Sequence, residues 1–141
     1  MTSVKPAATQ GAPTTTGPAT WLRRFLALDA VVTGANGLAY LLAPGPVGRL
    51  IGVDPGLLAG LGAFLTAYGM AVGVLAVRAR QPALAVRLVV LANVVWAVSS
   101  LVAPALWFDA STAGTVWIPL QGVVVGGFAA LQYGAFRRRT A

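Results

Sequence analysis

No charged residue occurs in residues 55–77, 88–108 or 110–136, and a fourth apolar stretch, residues 25–43, carries only Asp29. A water-facing helix needs a polar side, and runs of this length without one have nothing to show to water. A helix that crosses a hydrocarbon core of roughly 30 Å needs about 20 mainly apolar residues. The pattern therefore predicts an all-α fold, a bundle of four transmembrane helices over residues 25–43, 57–77, 88–108 and 115–136. Composition agrees: only 9% of residues are charged, against about 25% in soluble domains, and mean hydropathy is +0.79.

Residues 1–20 are Thr, Pro, Ala and Gly with the single charge of Lys5, and they read as a disordered cytoplasmic tail ahead of a membrane domain over residues 21–139. They lack the apolar stretch of a signal peptide. Arg23-Arg24 is taken as a topology signal. Positive residues set orientation by staying in the cytoplasm. Lys5, Arg23, Arg24, Arg78, Arg80, Arg87, Arg137, Arg138 and Arg139 fall on one side of the four predicted spans, and only Arg49 falls on the other, beside Asp54 and Asp109. Both termini are thus placed in the cytoplasm. Nine arginines to one lysine, with heavy use of Ala, Gly and Val, is the habit of a high-GC bacterial genome, so the expected location is the bacterial plasma membrane.

Several chemistries are excluded. There is no Cys and no His, which removes disulfides, thiolate metal sites and histidine-ligated haem. Three aspartates and no glutamate leave little acid–base repertoire, so no catalytic residue, metal or cofactor is assigned and an enzyme is not expected. The net charge of +7 sits at the ends of apolar runs, which argues for anionic headgroups and against nucleic acid. The bilayer is the expected partner, with a homodimer or a larger membrane complex as the form of association.

Within the spans, polar and small residues recur at helical spacing. Asp29, Thr33, Asn36 and Tyr40 share an arc of about 60°. Gly62, Thr66, Gly69 and Gly73 repeat the spacing in the second span, and Asn93, Ala97, Ser100 and Pro104 in the third. Gly122, Gly126, Ala129 and Tyr133 repeat it in the fourth, with Gln121 and Gln132 on an adjacent stripe. Gly69, Gly73, Gly122 and Gly126 match the small-residue pattern that lets helices approach closely. Pro119 should loosen the first turns of the fourth span. Residues 47–53 form a short apolar piece between the first two spans, suited to lying along the interface. Leu28-Asp29 with Ala92-Asn93, and Tyr68-Gly69 with Tyr133-Gly134, suggest a duplicated helical hairpin.

Asp29 is the sharpest feature. It lies about 6 Å into the hydrocarbon at 1.5 Å per residue, where a carboxylate costs up to ~3 kcal/mol and calls for a partner, a proton or water. Arg87 enters the third span from the same side and is the first choice of partner. Two readings stand side by side: an Asp29–Arg87 pair that fixes helix packing, and a protonatable site facing a cavity. The candidate polar site is Asp29, Thr33, Asn36, Arg87, Asn93 and Gln121.

The stretch LALDAVVTGANGLAYLLAPGPVGRLIGV, with GAFLTAYG and GFAALQYGAFRRR, resembles small uncharacterised four-helix membrane proteins of actinobacterial type over residues 22–139. The layout is more distantly similar to DoxX-like proteins, some of them linked to redox complexes. The resemblance implies membrane location and four spans. The role expected first is that of a non-enzymatic accessory or structural subunit. The alternative is a small transporter, or a lipid or quinone binder whose cavity would be lined by Trp96, Tyr68 and the polar stripe around Asp29.

Overall fold

The computed structural model describes residues 17–106 and 110–141, and all regular structure among them is helical. Four helices are long and apolar enough to cross a membrane: α1 (Pro18–Leu42), α3 (Pro55–Val77), α4 (Ala83–Leu106) and α5 (Thr112–Thr140). A short helix, α2 (Pro44–Ile51), lies between the first two. Residues 1–16 of the tail expected over residues 1–20, and residues 107–109 between α4 and α5, including Asp109, lie outside the described residues.

Each predicted span lies in a long helix, except for Ala43 at the end of the first and residues 107–108 at the end of the third, which are outside the described residues; elsewhere the helices run further. α1 starts at Pro18 and takes in the last residues of the expected tail, α4 starts at Ala83 ahead of Arg87, and α5 reaches Thr140 past its three arginines. Hydropathy marks where lipid would begin. Helical hydrogen bonding does not stop there, and proline at the first turn favours an early start because its missing N–H is not needed. The other ends have local causes. Asp54 caps α3 by accepting from the Leu57 amide at 2.9 Å, and Ser111 caps α5 by accepting from the Gly114 amide at 3.1 Å. α2 ends at Gly52, whose φ of 73° is a left-handed stop open to glycine. Pro119 lies inside α5, and the helix continues through it.

The long helices form two close pairs, α1 on α3 and α4 on α5, joined mainly by α1 against α5; the backbones of α3 and α4 stand apart, and these two helices meet through side chains toward the arginine-rich end. Glycine sets the closeness of the first pair. A Cβ on Gly62 would lie 2.5 Å from the Leu41 amide nitrogen, one on Gly37 2.6 Å from that of Thr66, and one on Gly69 2.9 Å from Gly34. In the second pair, a Cβ on Gly122 would lie 2.9 Å from the Ala97 carbonyl. Gly73 and Gly126, also expected at seams, have room for a methyl group at 3.7 and 3.4 Å. Within the two pairs, the closest approach thus belongs to Gly37, Gly62, Gly69 and Gly122.

Two apolar clusters fill the ends of the bundle. At the arginine-rich end, Leu22, Leu26, Val72, Leu75, Val86 and Phe136 pack together. At the other end, Tyr40, Leu58 and Leu65 pack with Ile51 and Val53. The last two come from α2 and the turn after it. The apolar piece expected to lie along the interface turns two side chains into the bundle, held by the Ser111 hydroxyl donating to the Leu50 carbonyl at 2.6 Å and by Gly114 against the Ile51 carbonyl. The outward faces carry exposed Leu, Val, Phe and Met throughout, an apolar exterior suited to lipid.

The seam geometry sets an expected outcome. Gly62→Ala forces two backbones apart and should lower stability by about 1–3 kcal/mol, whereas Gly60→Ala, with nothing within 4 Å, should leave it unchanged. Thermal unfolding of both variants in detergent checks this.

Candidate functional site

Between the two apolar clusters lies a polar layer to which each long helix contributes. Asp29 on α1 is 0% exposed. Its Oδ1 accepts from the Thr33 hydroxyl at 3.0 Å, and its Oδ2 accepts from Asn93 Nδ2 of α4 at 2.6 Å and from Gln132 Nε2 of α5 at 2.7 Å. Asn93 also donates to Gln132 Oε1 at 3.2 Å, and its own Oδ1 accepts from the Tyr68 hydroxyl of α3 at 3.0 Å. A buried polar group left without a partner costs about 1–3 kcal/mol. Among the described residues no buried side-chain nitrogen or oxygen lacks one. The network is closed.

Arg87 is not part of it. Its side chain is exposed at the arginine-rich end, with the guanidinium 5.8 Å from the centre of the Phe136 ring. The expected Asp29–Arg87 pair is therefore corrected: Asp29 is held by neutral amides and a hydroxyl. The physical reason lies in helix geometry. Asn93 comes six residues after Arg87, or about 9 Å further along α4 at 1.5 Å per residue, so it reaches the depth of Asp29 while Arg87 stays at the rim. Other arginines have local work as well. Arg23 Nε donates to the Ala76 carbonyl at 3.2 Å, near the C-terminus of α3, where a positive charge suits the helix dipole. Arg139 donates to Gln81 Oε1 at 3.2 Å and to the Gln81 carbonyl at 2.9 Å, tying the end of α5 to the turn between α3 and α4.

A second polar group lies one to two turns further along α1. Asn36 Nδ2 donates to Gln121 Oε1 at 2.6 Å, and Tyr40 Oη accepts from Gln121 Nε2 at 2.7 Å and Trp117 Nε1 at 2.8 Å. The first-choice candidates thus divide. Asp29, Thr33 and Asn93 join the buried layer, Asn36 and Gln121 join the second group, and Arg87 joins neither. Trp117 thus turns its indole N–H inward, toward Tyr40. Tyr133, expected on the inner stripe of the fourth span, is 51% exposed, and Gln132 beside it takes the interior place. Gln132 follows Gln121 by eleven residues, close to three full turns, and that spacing was the signal that could have promoted it.

Above the buried layer, a cavity of about 800 Å³ opens between the two helix pairs. Trp96, Tyr68, Thr33, Asn36, Asn93 and Gln121 contribute to its wall, with Phe64 and Val95 at the gap between α3 and α4. A second cavity of about 150 Å³ lies under Ile51 and Val53, and shares Trp96, Ser99 and Gln121 with the first. The larger volume falls within the roughly 300–1,000 Å³ of small-molecule sites, which are mainly apolar with a few placed polar groups. Asp29 does not reach the cavity. Thr33 and Asn93 stand between.

The chain matches no protein-family model, no curated protein and no solved structure.

The network geometry yields a double-mutant cycle. Asp29→Ala strips three donors of their acceptor and should cost about 1–3 kcal/mol. Unfolding in detergent should show coupling of Asp29 with Asn93, and additivity with Arg87 to within about 0.5 kcal/mol.

Proposed function

We propose that this chain is an integral protein of the bacterial plasma membrane, with both termini cytoplasmic, that binds a small membrane-dissolved molecule such as a lipid or quinone between its helix pairs. The observation that carries the binding reading is the cavity of about 800 Å³, walled by side chains from all four long helices, with aromatic faces and uncharged polar groups turned into it. A helix pair that served only to fill a complex would gain by closing that space, since empty apolar volume costs stability. The same volume under a lipid-facing gap is a use for α3 and α4 standing apart. The binder has no chemistry of its own in this reading. Its role is to hold or hand on the molecule.

The accessory-subunit reading has its own support in the closed polar layer, which reads as a packing device. A transport role coupled to Asp29 draws less support, because that carboxylate is sealed behind Thr33 and Asn93. Orientation rests on the arginines. Arg23, Arg78, Arg87 and Arg137 to Arg139 gather at one end of the bundle, opposite Arg49 of α2.

Two measurements test these statements. The chain has no cysteine, so single-cysteine variants report topology directly. In intact bacteria a membrane-impermeant maleimide should label Ala110→Cys and spare Thr140→Cys. Native mass spectrometry of the gently extracted protein should show a defined small-molecule adduct. Ala92→Phe, which fills the cavity from α4, should remove it. A bare wild-type subunit would sink the binding reading.

A further inference from the structure

The chemistry of the cavity wall narrows the occupant, on the understanding that this rests on the binding reading above. Among the described residues, neither the large cavity nor the smaller one beneath α2 has a lysine, arginine, aspartate or glutamate in its lining. The arginines stay at the ends of the helices, several of them engaged with ring faces or main-chain carbonyls. The carboxylate of Asp29 stands behind Thr33 and Asn93, and it offers no positive charge. A phosphate head moved into this space would lose its water and meet no counter-charge, an unfavourable exchange in a low-dielectric site.

What the wall does offer is neutral hydrogen bonding. Asn36 uses Nδ2 toward Gln121, and its Oδ1 has no partner among the described residues. The Ser99 hydroxyl has none either, and it faces both cavities. Gln121, shared by both cavities, lies next to these two groups along the path. Trp96 and Tyr68 add flat aromatic faces on which a ring or an ester plane can lie. The gap between α3 and α4, flanked by Phe64 and Val95, gives an apolar chain a way out sideways.

We propose that the cavity takes an uncharged lipid whose head carries carbonyl or hydroxyl oxygens, seated at Asn36, Gln121 and Ser99 with its chain leaving between α3 and α4, and that it rejects phospholipid heads. A quinone ring and a glycerol diester share this chemistry.

The test offers the delipidated full chain an equimolar mixture of a short-chain benzoquinone, dioctanoylglycerol, dioctanoyl phosphatidylglycerol and dodecyltrimethylammonium, and counts retained adducts by native mass spectrometry. One or both neutral lipids should be retained about tenfold over either charged one. The ratio between the two neutral lipids names the source. Asn36→Leu combined with Gln121→Leu should abolish the preference. Ser99→Lys, at an exposed position outside the buried layer, should turn it toward phosphatidylglycerol. Equal or stronger retention of phosphatidylglycerol or of the ammonium amphiphile by the wild type overturns the charge rule and leaves binding standing. No adduct of any kind, or adducts that survive Ala92→Phe, overturns the binding reading and this inference with it.

Discussion

The carboxylate of Asp29 sets the terms for everything around it. Its two oxygens accept hydrogen bonds, and Thr33, Asn93 and Gln132 all donate to them. Once Asn93 is committed there, its own oxygen is left for Tyr68, and the fourth helix is drawn in. Each long helix therefore has one rotation and one depth at which its polar residue reaches the layer. Apolar packing alone would not fix these so tightly, because in lipid there is little hydrophobic force between helices and slides along the axis cost little. Closing the layer holds the bundle in register. The apolar clusters on either side then pack at leisure.

Glycine and the polar layer divide the work. Gly37, Gly62 and Gly69 bring α1 and α3 to backbone contact, and Gly122 does the same for α5 on α4. These seams are short-range and unforgiving of a single methyl group. The layer acts between the pairs, where the helices stand further apart and side chains of intermediate length have to span the distance. The cavity is the space left by that separation, kept open at the level where Trp96, Tyr68 and Gln121 face one another across it.

Much of this was legible in the residues. Uncharged runs located the four long helices, and the spacing of Asp29, Thr33, Asn36 and Tyr40 placed them on one face, where the structure keeps them. Gly69 and Gly122 were found at true seams. The partner of Asp29 was not legible. Charge suggested Arg87, yet an amide satisfies a carboxylate without any charge to advertise it, and Asn93 carries no such mark. Gln132 was noted beside the stripe that ended in Tyr133, and a shift of one residue, or 100° of rotation, separates interior from exterior. The cavity could not be read as a volume, because it depends on how far apart two helix pairs stand. Its wall, Trp96 and Tyr68 with the polar stripe, could be.

The unequal contacts among the helices have a mechanical consequence. With α1 and α5 as a spine, the glycine-welded pairs behave like the two covers of a book, and the free edge lies along α3 and α4. Such a body can widen or narrow its interior by a small angular motion without disturbing either cover. Resistance to that motion is concentrated toward the arginine-rich end, where residues 78–82 join α3 to α4, Val72 and Leu75 pack with Val86, and the Tyr68 hydroxyl donates to Asn93 Oδ1. Compliance should therefore grow along the free edge with distance from that end, leaving the edge stiff near Val86 and soft toward Pro55 and Leu106, the far ends of α3 and α4.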